Sequence, residues 1–185
     1  TMYFQPPGPR PLNPEVGNKM LPLDHILKKS ITYFPNKPES MKFDILEIGP
    51  GNGEFLFNMA QIHPQKNILG IEIGGIRFNK MKLKIEKRQI KNVTLALGDA
   101  RVALHNDLKD STLEKCLVLF PDPWPRNKHR HRRLLQQDFL KLIAAKLKVD
   151  GIFILATDVA DYASWVLDNL KKTPHMKNVL GKNQM

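Results

Sequence analysis

Four acids in this chain each stand where an apolar run ends. They are Glu47 in Leu46-Glu47-Ile48-Gly49, Glu72 in Gly70-Ile71-Glu72-Ile73, Asp99 in Gly98-Asp99-Ala100, and Asp122 in Phe120-Pro121-Asp122-Pro123-Trp124. A carboxylate at a strand end can accept hydrogen bonds from both ribose hydroxyls of a nucleoside or meet an adenine edge. It also suits a ligand that carries positive charge, which a phosphate does not. Taken singly, each acid reads better as a helix cap or a strand terminus. Their shared placement converges them on one crevice outside the carboxyl ends of the strands, where open α/β sheets bind ligands.

Asp122 has the most distinctive surroundings. Pro121 and Pro123 each fix their own φ and push the preceding residue toward extended geometry, which holds the acid outside the sheet edge. Trp124 follows, and then a basic block in which five of eight residues are Arg or Lys: Arg126, Lys128, Arg130, Arg132 and Arg133. A charge run is most often a solvated face. This one abuts an aromatic and an acid, which points to a surface facing nucleic acid, and the net charge of +11 agrees with a polyanionic partner. Trp124 either stacks on a base or packs under the loop. Asp158 either orients substrate or caps a helix starting near Val159. His129 and His131 sit among cations without nearby carboxylates, so no metal site is expected. Arg77, Lys80, Lys84, Lys87 and Lys91 recur at spacings of three and four, a second basic stripe on one helix.

These residues need a scaffold, and the apolar periodicity supplies one. Strands are expected at 43–48, 67–73, 93–97, 116–120 and 152–156. Helices are expected at 26–34, 54–63, 76–90, 134–147 and 162–170. Strands alternating with helices make a parallel sheet covered on both faces. Residues 1–20 are Pro/Gly/Asn-rich and read as a flexible N-terminal arm, with a single domain over 21–185. No apolar run is long enough to span a bilayer and no secretory signal is visible, so no membrane partner is expected. The lone Cys116, inside an apolar strand, fits a reducing cytoplasm and excludes a disulfide.

Leu46-Glu47-Ile48-Gly49-Pro50-Gly51-Asn52-Gly53-Glu54 follows the first of these strands. Glycines at alternate positions allow a sharp turn and close approach of a ligand. A dinucleotide fingerprint requires glycine where Glu54 stands, and a carboxylate is poorly placed beside a pyrophosphate. The turn instead resembles the G-x-G-x-G motif of class I S-adenosylmethionine-dependent methyltransferases.

Together with Arg132-Arg133 and Ala156-Thr157-Asp158, the motifs quoted above resemble those of the tRNA (guanine-N7-)-methyltransferases, over roughly 43–170. The resemblance implies a Rossmann-like class I methyltransferase fold and S-adenosyl-L-methionine-dependent methylation of a guanine in the variable region of tRNA. It implies cofactor contacts from Glu47, Gly49, Gly51, Glu72, Asp99 and Asp122, with Asp122 at the catalytic centre. Arg126 stands where the family usually has a substrate-contacting lysine. Asp158, Lys128, Arg130, Arg132 and Arg133 join it as substrate contacts. The compact 121–133 segment is more similar to the single-chain bacterial branch, which implies no obligate protein partner. The family's closing Thr-Lys-Phe-Glu-type segment has no counterpart, so the last strands are expected to be missing. The alternatives are methylation of another nucleic acid, or a non-catalytic RNA-binding subunit on the same fold.

Overall fold

The computed structural model describes residues 1–5, 32–35, 42–174 and 176–179. At its centre lies β2 (Ile45–Ile48), whose four residues are all buried. It pairs in parallel with β3 (Ile68–Glu72) on one side and with β5 (Leu113–Leu119) on the other. The sheet continues outward to β4 (Val93–Leu97) beyond β3, and to β6 (Leu147–Ala156) beyond β5. Chain order therefore reverses between β2 and β5, which makes the carboxyl ends of these two strands the topological switch point where such folds bind ligands.

Helices cover both faces because the central strands are apolar on both. Helices α1 (Glu54–Ile62) and α2 (Gly75–Arg88) bring Leu56, Phe57, Phe78 and Met81 against Ile45 and Ile68. Helices α3 (Ala100–Asn106), α4 (Gln137–Lys146) and α5 (Ala160–Lys171) bring Leu104, Phe139, Ile143 and Val166 against Leu46, Ile48 and Leu69 on the opposite face. Leu46 is fully buried, and Leu46→Ala would cost about 2–5 kcal/mol through the cavity left behind. Cys116 is buried and free, and burial pushes its thiol pKa upward.

The expected strands and helices from 43 onward are present, with ends displaced by a few residues. Three expectations are corrected. Residues 2–5 do not belong to an arm: β1 (Met2–Gln5) pairs antiparallel with β6, with Met2 opposite Leu155. Three apolar or aromatic residues in a row suit a strand, and Met2 buries into the core, but the proline-rich sequence after them hides the signal. As expected, no strand of ordinary length follows α5 among the described residues. Short β7 (Lys177–Asn178) pairs with β1 and completes a seven-stranded mixed sheet in the order β4-β3-β2-β5-β6-β1-β7. The second correction concerns the helix expected at 26–34, of which 26–31 lies outside the described residues. At its described end Tyr33 is extended and bridges antiparallel to Leu97. Finally, the basic stripe on α2 stops short of Lys91, because the helix ends at Arg88 with Gln89 in a left-handed cap.

Candidate active site

Each strand of the switch point delivers its acid differently. After β2 the chain turns through Gly49, Gly51 and Gly53, with φ of 71°, 61° and 81°, a region that side-chain-bearing residues avoid. Nothing lies within 4 Å of where a Cβ would stand at Gly49 or Gly51. The turn thus leaves a bare backbone facing open space. Gly53 caps α1, and Glu54 in its first turn pairs with Lys84 at 2.6 Å. The carboxylate that argued against a dinucleotide is thereby committed to α2.

Glu72, at the end of β3, is 2% exposed. Its Oε2 accepts the Gly51 N–H at 3.1 Å and its Oε1 accepts the Gly74 N–H at 2.8 Å. It ties the glycine turn to the loop that starts α2 while keeping lone pairs toward the crevice. Asp99 accepts from the Arg101 backbone N–H as the N-cap of α3, and the Arg101 guanidinium donates to both carboxylate oxygens. The capping reading and the crevice reading of Asp99 therefore hold together. Glu47 is 3% exposed and points into the protein, with no partner for its Oε2 among the described residues. Burial without a charge partner pushes its pKa up to about 7.

Asp122 is built from outside the sheet. The Phe120 N–H donates to the Ala156 carbonyl at 2.8 Å, and the chain then leaves the sheet with φ of 50° at Phe120 and 43° at Trp124. Non-glycine residues in this region cost of order 1–3 kcal/mol each and persist where their surroundings over-determine them. The exposed Asp122 is suspended between them. Trp124 is half-buried under the Arg132 guanidinium, 5.0 Å from the ring centre, and its ring lies 5.9 Å from that of His129. The basic block forms a single 3-10 helix over Asn127–Arg132.

Gly49, Glu72, Asp99, Asp122, Trp124 and Arg132 line one crevice of about 270 Å³. Gly51 and Glu47 do not line it: Gly51 reaches the wall only through its bond to Glu72, and Glu47 is buried in β2. Arg126, Lys128, Arg130 and Asp158 are exposed and line none of it. Asp158 does not cap α5: that position is Val159, whose N–H is received by Thr157 Oγ1 at 3.2 Å.

Arg133 is the clear correction. Read as a substrate contact, it is buried at 1% exposure. Its Nε donates to the Pro123 carbonyl at 2.8 Å, its Nη2 binds Asp161, and its guanidinium lies over Tyr162 and Trp165. A side chain so enclosed meets no RNA phosphate.

Arg77 and Arg101 also line the crevice and were missed. Arg101 carries the signal of a cation two residues past an N-cap acid; Arg77 had been read only as part of a stripe. Among the described residues no group of three His, Cys, Asp or Glu side chains is placed to hold a metal ion. None of their helices is long and apolar enough to cross a membrane.

Comparison with known proteins follows this geometry. Residues 41–185 match the family model described as "Putative methyltransferase". The chain is 41% identical over 140 residues to a tRNA (guanine-N(7)-)-methyltransferase of Alkalilimnicola ehrlichii, covering 76% of this chain and 59% of that protein. A protein of the same name from Buchnera aphidicola is 42% identical over 139 residues, covering 75% and 58%. The chain thus spans just under three-fifths of the length of these relatives. Among solved structures, a precorrin-6y C5,15-methyltransferase of Geobacter metallireducens superposes with a TM-score of 0.56 at 18% identity, covering 71% of this chain and 61% of that one. At that identity the likeness speaks for the fold alone.

Proposed function

This chain belongs to the methyltransferase family matched over residues 41–185, and from that premise we propose that it transfers a methyl group from S-adenosyl-L-methionine to guanine N7 in the variable region of tRNA. The observation that carries the reading is one crevice with a buried-acid wall on one side and a cation-flanked acid on the other.

The residues present fit the cofactor. A cationic amino acid joined to a nucleoside needs acceptors and a close-approaching backbone, and Glu47 keeps a buried acceptor without a partner beside the bare turn at Gly49 and Gly51. When bound, S-adenosylmethionine supplies an electrophilic methyl on a sulfonium. Glu72 would accept from ribose hydroxyls, Asp99 would meet the adenine edge, and Glu47 would take a donor from the amino-acid part. Gly49 and Gly51 let that part lie against the backbone.

Guanine N7 carries an in-plane lone pair and no proton, so attack on the methyl requires no general base. It requires alignment, and stabilisation of positive charge that moves onto the purine. Asp122 accepts from the Watson–Crick edge of the guanine and offsets that charge. Trp124, held under Arg132, offers a ring against which the base is oriented. Arg126, Lys128, Arg130 and Arg132 hold phosphates near the target base, and the α2 stripe, which begins at the crevice with Arg77, follows the backbone away from it.

The test is transfer of a labelled methyl group to bulk tRNA, followed by digestion and nucleoside analysis. The expected product is 7-methylguanosine. Label confined to another nucleoside, or transfer to small molecules in preference to RNA, would remove the proposal.

A further inference from the structure

The buried arginine of the basic block has a task of its own. We infer that Arg133 is a positioning residue that holds Asp122 in register with the crevice by tying its loop to the first turn of α5. The inference rests on the reading that Asp122 orients the guanine.

Burying a guanidinium is costly unless each charge and donor is well placed. Arg133 has a fully buried side chain whose Nη1 finds no partner among the described residues, while its Nε and Nη2 join two segments, the Asp122 loop and the first turn of α5. The Pro123 carbonyl that it binds belongs to the residue immediately after Asp122, so the bond fixes the Pro123–Trp124 peptide, one link beyond the acid. The Asp161 carboxylate answers from α5, where it also receives Arg130 at 3.0 Å. Hydrogen bonding to Arg133 holds the Asp161 carboxyl below the usual carboxylate range. Tyr162 and Trp165, at 5.4 and 5.0 Å, complete an aromatic seat that belongs to the core.

Arg132, next in the chain, lies instead over the Trp124 ring. Two consecutive arginines thus grip one loop, one at the crevice and one from the protein interior. The loop needs such a grip, because left-handed Phe120 and Trp124 do not persist without support. Lysine at 133 has neither the planar fork for two acceptors nor the flat face for two rings, so it replaces the clamp only in part.

The test compares Arg133→Lys, Arg133→Met and Asp161→Asn in steady-state methyl transfer. S-adenosylhomocysteine affinity and the salt dependence of tRNA binding are measured in parallel. Misplacing a catalytic group by a fraction of an ångström lowers kcat by roughly tenfold or more, and that loss is expected for Arg133→Met. Arg133→Lys should recover part of it, and Asp161→Asn should lose about threefold to tenfold in kcat. All three should leave cofactor affinity nearly unchanged, and the two Arg133 variants should also leave KM for tRNA and the salt slope nearly unchanged; Asp161→Asn, which also frees Arg130, is read from kcat and cofactor affinity.

Asp161 is half-exposed, so its variant remains informative even where Arg133→Met does not fold. Unchanged kcat in Asp161→Asn would overturn the inference, as would a salt slope that falls with Arg133→Met. Asp122→Asn separates the two readings. If Asp122→Asn retains full kcat, the role of Asp122 has failed. If it loses kcat while Asp161→Asn does not, only the clamp has failed.

Discussion

The two rims of the crevice are built on opposite principles. On the β3–β4 rim the acids are shielded and already bonded: Glu72 to two backbone N–H groups, Asp99 to Arg101 and the start of α3. On the β5 rim Asp122 is exposed, carried by a loop with two left-handed residues, and flanked by cations that belong to the surface. The first rim is fixed before any ligand arrives, as suits a small molecule enclosed on several sides. The second is open toward solvent and supported from behind, as suits a large polyanion that presents one base. Damage to the first rim should therefore appear in cofactor affinity and stability, and damage to the second in rate and RNA affinity.

The largest separation is expected at Asp122. Asp122→Ala should lower the rate of methyl transfer by about 100-fold or more, the size of losing one charge-stabilising group in a transition state. Calorimetry should find its S-adenosylhomocysteine affinity close to wild type. A parallel loss of cofactor affinity would move Asp122 to the other rim and erase the contrast.

Next in size is Glu72→Ala, which strands the Gly51 and Gly74 N–H groups and removes the ribose acceptor. Cofactor binding should weaken by about 1–3 kcal/mol, with a comparable drop in unfolding free energy by denaturant titration. Normal cofactor affinity in a variant that remains folded would show that Glu72 only braces the glycine turn.

A third effect comes from Glu47, buried in β2. Burial raises its pKa from 4.5 to about 7, so within that window the folded chain holds a proton that the unfolded chain has released. Stability of the ligand-free protein should thus fall as pH rises from 4.5 to 7. Glu47→Gln should flatten that decline and stabilise the protein by about 1–3 kcal/mol at pH 8. Thermal unfolding across this pH range checks it; identical profiles would place the titration elsewhere.

The smallest effects belong to the outer surface. Neutralising Lys128 and Arg132 should weaken tRNA binding and flatten its salt dependence by roughly one unit per lost phosphate contact. Neutralising Lys80 and Lys87 on α2 should act in the same direction but less. Lys84 should matter least for RNA, because Glu54 and the Asn52 carbonyl already engage it. Equal effects from both pairs would mean that the RNA path does not start at the crevice.

The two rims also differed in how far they were legible from residues alone. Glu72 and Asp99 were readable as strand ends because apolar runs of strand length stop at or just before them, with helical periodicity following only Glu72. Asp122 was readable from its prolines and its basic tail. Arg133 was not, because nothing in a run of five cations marks the one that turns inward; burial is a tertiary property, set here by Tyr162 and Trp165 almost thirty residues or more away. The start of β6 was hidden by Asp150-Gly151, which reads as a turn but is a bulge where the register with β5 shifts. Helix α3, one residue past Asp99, was too short to show a period. Strand β1 offered four residues before a proline-rich stretch, so its pairing with β6 is decided by the sheet edge that it covers.

The central claim is that the lone pair of guanine N7 receives the methyl group, with no proton removed. The most direct measurement uses tRNA transcripts in which guanine is replaced by 7-deazaguanine, which keeps the Watson–Crick edge and lacks only that nitrogen. Such transcripts should bind with nearly unchanged affinity and accept no labelled methyl, while ordinary transcripts are methylated. Continued methylation of the 7-deaza transcripts would contradict the account.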